Sequence, residues 1–183
     1  MPSKANLIGR KSTISNAFAI SVTPYIRPSD DDLEKYYSEL KIEEGQCAYC
    51  LGKGDGKDHL KPLVSDGMPT GYITDIHNLV PCCQRCNSSK GSKSFREWYK
   101  SKENISRLKK DGLTDEKIES RYSIICSFED KIPEPINYEA IVGKELWEEY
   151  NRRRYKMLQE LKDNQDFCNN LSKIVMEYLK QNG

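Results

Sequence analysis

Two short cysteine turns, Cys47-Ala48-Tyr49-Cys50 and Cys83-Gln84-Arg85-Cys86, constrain this chain more than any other feature. A C-x-x-C turn presents two thiolates to one ion, and two such turns complete the tetrahedral sulfur shell of a closed zinc site. Four sulfurs leave no open coordination position, so the zinc is expected to be structural and any chemistry to lie beside it. The stretch from Cys50 to Cys83 is longer than in an ordinary zinc ribbon, which predicts a folded insert between the knuckles. Cys82-x-x-x-Cys86 is a second conceivable ligand pairing, but C-x-x-C closes the tighter knuckle and Cys83 is the expected ligand. Cys126 and Cys168 stand alone and read as core thiols.

Seven cysteines, with no long apolar stretch for a membrane span, point to a cytosolic protein that uses its thiols for metal rather than for disulfides. Lysine and arginine number 29 against 28 acids, a net charge of +1, so global charge says nothing about nucleic acid. Local charge says more. From Arg85 to Lys110 the chain carries Lys90, Lys93, Arg96, Lys100, Lys102, Arg107 and Lys109 against only Glu97 and Glu103, while acids collect later around Glu129, Asp130, Glu145, Glu148 and Glu149. A basic surface beginning at the second knuckle suits a phosphate backbone.

Hydrophobic spacing gives a coarse organisation. Residues up to about Arg27 show no helical period and are expected to form an arm. Ser29 caps a helix whose Leu33, Tyr36, Tyr37 and Leu40 share one face. A strand carrying Asp58-His59 and a second strand near Tyr72 to Ile76 are expected to form a ribbon, followed by a short helix from about Gln84 to Gly91. Ser94 and Thr114 cap two further helices, and Pro133 and Pro135 break the chain. Beyond them Leu146, Tyr150, Met157 and Leu161 mark one helix, and Phe167, Leu171, Ile174, Val175 and Tyr178 mark another. Both stripes are expected to face an intramolecular core. The expected fold class is α+β, mainly α, divided into an arm and helix over residues 1–46, a metal module over 47–100 and a helical region over 101–183.

Between the knuckles lie Asp58-His59-Leu60-Lys61-Pro62-Leu63 and Asp75-Ile76-His77-Asn78-Leu79-Val80-Pro81, and the second knuckle continues as Cys86-Asn87-Ser88-Ser89-Lys90-Gly91. In order and spacing these runs resemble the HNH endonucleases over about residues 47–100, with their ββα-metal core. The segments Arg27-Pro28-Ser29-Asp30 and Pro69-Thr70-Gly71-Tyr72-Ile73 resemble bacterial restriction-type members of that family.

The resemblance implies a metal-dependent phosphodiesterase with His59 as general base, because a neutral imidazole can take a proton from water. It also implies that Asp58 and Asn87 supply hard oxygens to one Mg²⁺ or Mn²⁺, and that Asn78 ties down the loop carrying the base. Many relatives carry histidine where this chain has Asn87, and an amide oxygen there favours Mg²⁺ over a softer ion. Arg85, Lys90, Lys93 and Arg96 are the expected DNA contacts. The implied partner is DNA, in a bacterial or phage-encoded protein whose helical flanks supply target recognition and a homodimer interface. A homing or junction-cleaving nuclease is the close rival, and a non-catalytic zinc module that binds nucleic acid is the rival of another class.

Overall fold

Side-chain caps set where several helices begin. The computed structural model describes residues 6–182. After a 3₁₀ turn at Ile8–Arg10 come α1 (Lys11–Ile20), α2 (Asp30–Leu40), β1 (Gly56–His59), β2 (Val64–Ser65), β3 (Met68–Pro69) and β4 (Leu79–Cys82). The order continues with α3 (Gln84–Lys90), α4 (Phe95–Tyr99), α5 (Lys102–Lys110), α6 (Asp115–Glu129), α7 (Tyr138–Val142) and α8 (Lys144–Asn182). At α2 the Ser29 hydroxyl accepts from the Asp32 amide at 3.2 Å while the Asp32 carboxylate accepts from the Ser29 amide at 3.0 Å, a reciprocal box that satisfies two otherwise orphan donors. Thr114 caps α6 in the same one-sided way that Ser101 caps α5.

The fold is α+β and mainly helical, as the residue pattern indicates. Three local expectations are corrected. The N-terminal arm contains a helix, α1, whose inward positions Ser15 and Ala19 are too small and polar to register as an apolar stripe. The strand partner of β1 is β4, in the antiparallel register Gly56↔Cys82, Asp58↔Val80 and His59↔Leu79, and not the Tyr72–Ile76 stretch. That stretch runs into a turn because the Asp75 carboxylate collects the amides of His77 at 3.0 Å and Asn78 at 2.9 Å, a local bonding pattern that competes with strand pairing. Finally, the two C-terminal stripes belong to one helix, α8. No glycine or proline interrupts Lys144–Asn182, and the polar run Asp163-Asn164-Gln165-Asp166 continues it.

The chain divides into two compact units, neither of which follows the 1–46, 47–100 and 101–183 boundaries. One comprises Thr23–Leu63 with Thr70–Ile136; the other comprises the N-terminal segment through Val22, the hairpin segment Val64–Pro69, and the chain from Asn137 onward.

The first unit holds a dense core. Tyr49, fully buried inside the first C-x-x-C turn, meets the Trp98 ring edge-on at 5.0 Å and stacks on Phe95 at 5.8 Å. The Tyr99 hydroxyl donates to the Tyr49 carbonyl at 2.9 Å. Buried Arg121 on α6 donates from Nε to the Ala48 carbonyl at 2.9 Å and from Nη1 to the Leu40 carbonyl at 2.6 Å, tying the first knuckle to the end of α2. Backbone groups cannot be left unpaired in such a core without cost, so Arg121 fixes where the knuckle lies.

In the second unit, Arg154 of α8 donates from Nε to the Gly67 carbonyl at 2.8 Å and from Nη2 to Ser15 of α1 at 2.9 Å. The Trp147 ring stacks on Tyr138 and Tyr150, and Phe18 packs on Tyr150 at 4.9 Å. Most of α8 beyond this cluster is exposed. Cys168, expected in a core, is exposed on it, and Cys126 is half-buried on α6. The stripe of Phe167, Leu171, Ile174, Val175 and Tyr178 also faces outward, contrary to the expected core. Among the described residues no helix is long and apolar enough to cross a membrane.

Candidate active site and metal centre

The first knuckle is shaped by its backbone. The Cys47 amide donates to the Gly52 carbonyl at 2.7 Å and the Leu51 amide to the Cys47 carbonyl at 2.9 Å, which turns both thiols to one side. The Ala48 amide donates to the Pro81 carbonyl at 2.8 Å, docking the turn on β4. Gly54 is required here, since a Cβ at that position would lie about 2.9 Å from the backbone of Gln46 and Cys47. The second knuckle is the start of α3, where the Cys83 sulfur accepts from the Cys86 amide at 3.4 Å.

Together these turns bring the sulfurs of Cys47, Cys50, Cys83 and Cys86 within 4.8 Å of one another. Four thiols so placed fit a tetrahedral zinc ion of the structural kind. Cys82 is outside the group. As the last residue of β4 it is fully buried in the hydrophobic core instead.

Asp58 and His59 end β1, and α3 crosses that strand. Asn87 donates from Nδ2 to the Lys57 carbonyl at 3.4 Å. Three residues further on the same helix face, Lys90 donates to the His59 carbonyl at 2.8 Å and pairs with the Asp58 carboxylate at 3.1 Å. Asp58 also accepts from the Tyr49 hydroxyl at 2.6 Å and is only 7% exposed. Burial and that carboxylate hold the Tyr49 phenol well above its ordinary value, so it remains a donor.

The His59 imidazole meets the Thr74 hydroxyl at 3.0 Å through Nε2, and half-burial is the main cause that lowers its pKa. A lowered pKa favours the neutral ring at neutral pH, the form able to accept a proton. The loop after His59 is clamped by Asn78. Its Oδ1 accepts from the Lys61 amide at 2.8 Å, and its Nδ2 donates to the carbonyls of Lys61 at 3.1 Å and Ile73 at 3.0 Å. Asn78 is buried and every one of these bonds is to backbone.

The structure therefore places Asp58, His59 and Asn87 about the β1–α3 crossing, with Asn78 bonded to the loop that follows His59. It separates the expected DNA contacts. Lys90 is 2% exposed and faces inward, which corrects its assignment to the DNA-facing surface: an ammonium buried against Asp58 cannot also meet a phosphate outside. Arg85 pairs with Asp111, and Arg96 pairs with Asp130 and, at 2.6 Å, with Glu129. Lys93 alone of the four is exposed with no ion pair among the described residues.

Sequence reasoning missed Tyr49 and Thr74 as partners of the site. Tyr49 carried a signal, an aromatic hydroxyl inside a metal knuckle; Thr74 carried none.

Residues 47–93 match the family model for HNH endonuclease. The chain is also similar to the CRISPR-associated endonuclease Cas9 of Corynebacterium diphtheriae, being 36% identical over 78 residues that cover 40% of this chain and 7% of that protein. It thus corresponds to a small fraction of that relative's length. No solved structure matches the chain.

Proposed function

We propose that this chain, which carries an HNH endonuclease domain over residues 47–93, is a Mg²⁺-dependent DNA endonuclease of the restriction type that leaves 5′-phosphate and 3′-hydroxyl ends. The observation that carries this reading is the β1–α3 crossing, where a partly buried imidazole of lowered pKa adjoins a carboxylate and, across from them, an amide. The nucleic-acid substrate is supported by the domain and by the similarity to a CRISPR-associated endonuclease.

His59 takes the proton of the attacking water, with Thr74 fixing the ring and Asn78 fixing the loop behind it. Asp58 and Asn87 are the two hard oxygen donors that would hold a divalent ion; such an ion, when bound, supplies positive charge for the phosphate and the departing oxygen. The zinc at Cys47, Cys50, Cys83 and Cys86 stays structural. Lys93, Arg85 and Arg96 are the proposed phosphate contacts, the two arginines by exchanging their acidic partners for phosphate. One such site cuts one strand, so a double-strand cut takes a homodimer or two successive events.

Nicking of supercoiled DNA by the purified protein in Mg²⁺ tests the proposal. His59→Ala is expected to lower the rate at least ~10²-fold, the usual worth of a general base, while binding of the same DNA is retained, and ligase is expected to reseal the nicks directly. Parent-rate nicking by the alanine variant, or ends bearing 3′-phosphate, would remove His59 or the water-attack geometry from the scheme.

A further inference from the structure

A buried lysine is costly unless its charge is matched and its protons are bonded. Lys90 meets both conditions at one place: its ammonium lies 3.1 and 3.4 Å from the two Asp58 oxygens and 2.8 Å from the His59 carbonyl, at 2% exposure. Asp58 is the carboxylate assigned above to the divalent ion, and Tyr49 already donates to it at 2.6 Å. An ammonium and a divalent cation on one shielded carboxylate repel each other strongly, because little solvent lies between them to screen the charges.

We propose that Lys90 is the resident counter-ion of the Asp58 carboxylate and that the catalytic ion binds by displacing its ammonium, so that Lys90 sets the divalent-ion affinity of the site. The inference rests on the reading of Asp58 as a metal ligand. In the metal-free protein Lys90 neutralises Asp58 and ties β1 to α3 through the His59 carbonyl; on binding, the ion takes over the carboxylate. Lys90 is thus a positioning residue that holds the carboxylate in place until the ion arrives.

Mn²⁺ binding to the zinc-loaded full chain, followed by electron paramagnetic resonance of the free ion, tests this without any turnover. Lys90→Met, which keeps the aliphatic stem and removes the charge, is expected to bind Mn²⁺ at least tenfold more tightly than the parent, and Asp58→Asn at least tenfold more weakly. Unchanged or weaker binding by folded Lys90→Met, with Asp58→Asn still weakened, overturns the role of Lys90 and leaves Asp58 as a ligand. If Asp58→Asn binds like the parent, or the parent does not bind Mn²⁺, the reading of the metal site fails and the inference falls with it. Should Lys90→Met not fold, nitrogen-15 resonances of the lysine ammonium groups in the parent decide. The protected Lys90 signal is expected to move and to lose protection on addition of Mg²⁺, and a signal indifferent to saturating Mg²⁺ overturns the proposal.

Discussion

The two compact units hold their shape by different means. In the unit of Thr23–Leu63 and Thr70–Ile136, the four cysteine sulfurs, the rings of Tyr49, Phe95, Trp98 and Tyr99, and the buried Arg121 converge on one short stretch of backbone around Ala48. In the unit containing α1 and α8, the joins among the described residues lie further apart: the Arg154 fork onto Gly67 and Ser15, the Leu7 amide on the Gln165 side chain, the packing of Phe18 on Tyr150, and the aromatic stack of Tyr138, Trp147 and Tyr150. A catalytic constellation needs side chains held to a fraction of an ångström, and only the first unit has that density of constraint around its candidate site. Each unit also contains one of the chain's two tryptophans, Trp98 in the first and Trp147 in the second, so the difference can be read separately.

The sharpest way to break the comparison is to disrupt the four-cysteine site proposed above to hold zinc. Binding at a tetrathiolate site contributes about 10–16 kcal/mol in small zinc domains, as much as the entire stability of an ordinary domain. Cys50→Ser is therefore expected to unfold the first unit. With Trp147→Phe as background, Trp98 emission should shift to the red and lose its near-ultraviolet ellipticity, and elemental analysis should find no stoichiometric zinc. With Trp98→Phe as background, Trp147 emission should barely change. A red shift of both tryptophans would mean that the second unit depends on the first for its fold, and retained zinc in Cys50→Ser would reassign the ligands.

A smaller effect is expected from the other side. Gly67 has φ of +72°, and a Cβ there would run into the Ser15 hydroxyl and the Arg154 guanidinium. Gly67→Ala combines backbone strain with the loss of that fork, at a cost of roughly 2–3 kcal/mol. The change should appear as a lower melting temperature reported by Trp147, with Trp98 and DNA nicking unaffected. An equal shift at Trp98 would show the units melting as one.

The same contrast explains what could be read from the residues alone. The four-cysteine cluster was legible because a tetrahedral sulfur site demands thiols in paired turns, whereas Asp58, His59, Asn78 and Asn87 were singled out by the resemblance to the HNH endonucleases, and their roles belong to the proposed function. The starts of α2 and α6 were legible because Ser29 and Thr114 are local caps. The β1 partner was not, because the Asp75 turn that excludes Tyr72–Ile76 depends on two backbone amides that no periodicity displays. The direction of Lys90 was hidden for a related reason. In a run of cations one lysine looks like another, and only the arrival of α3 over β1 turns this one inward against Asp58. Helix α1 escaped because Ser15 and Ala19 fill its inward face, and small residues leave no stripe.

The smallest expected effect concerns α8, where periodicity misled in the opposite direction. Phe167, Leu171, Ile174 and Val175 recur at helical spacing, and such a stripe would ordinarily be buried on folding. Here Ile174 is 62% exposed and no residue of α8 is buried. A side chain that stays in water when the chain folds contributes little transfer free energy, so its replacement by a charge forfeits almost nothing. Lysine also has a higher helix propensity than isoleucine, which acts in the same direction. Ile174→Lys is therefore expected to change stability by no more than about 0.5 kcal/mol, the range of ordinary surface substitutions, with Trp147 emission and helical ellipticity at their parent values in thermal and urea unfolding. A loss of several times that amount would show that Ile174 is covered in solution, and the contrast between a densely constrained first unit and a sparsely joined second one would then fail at α8.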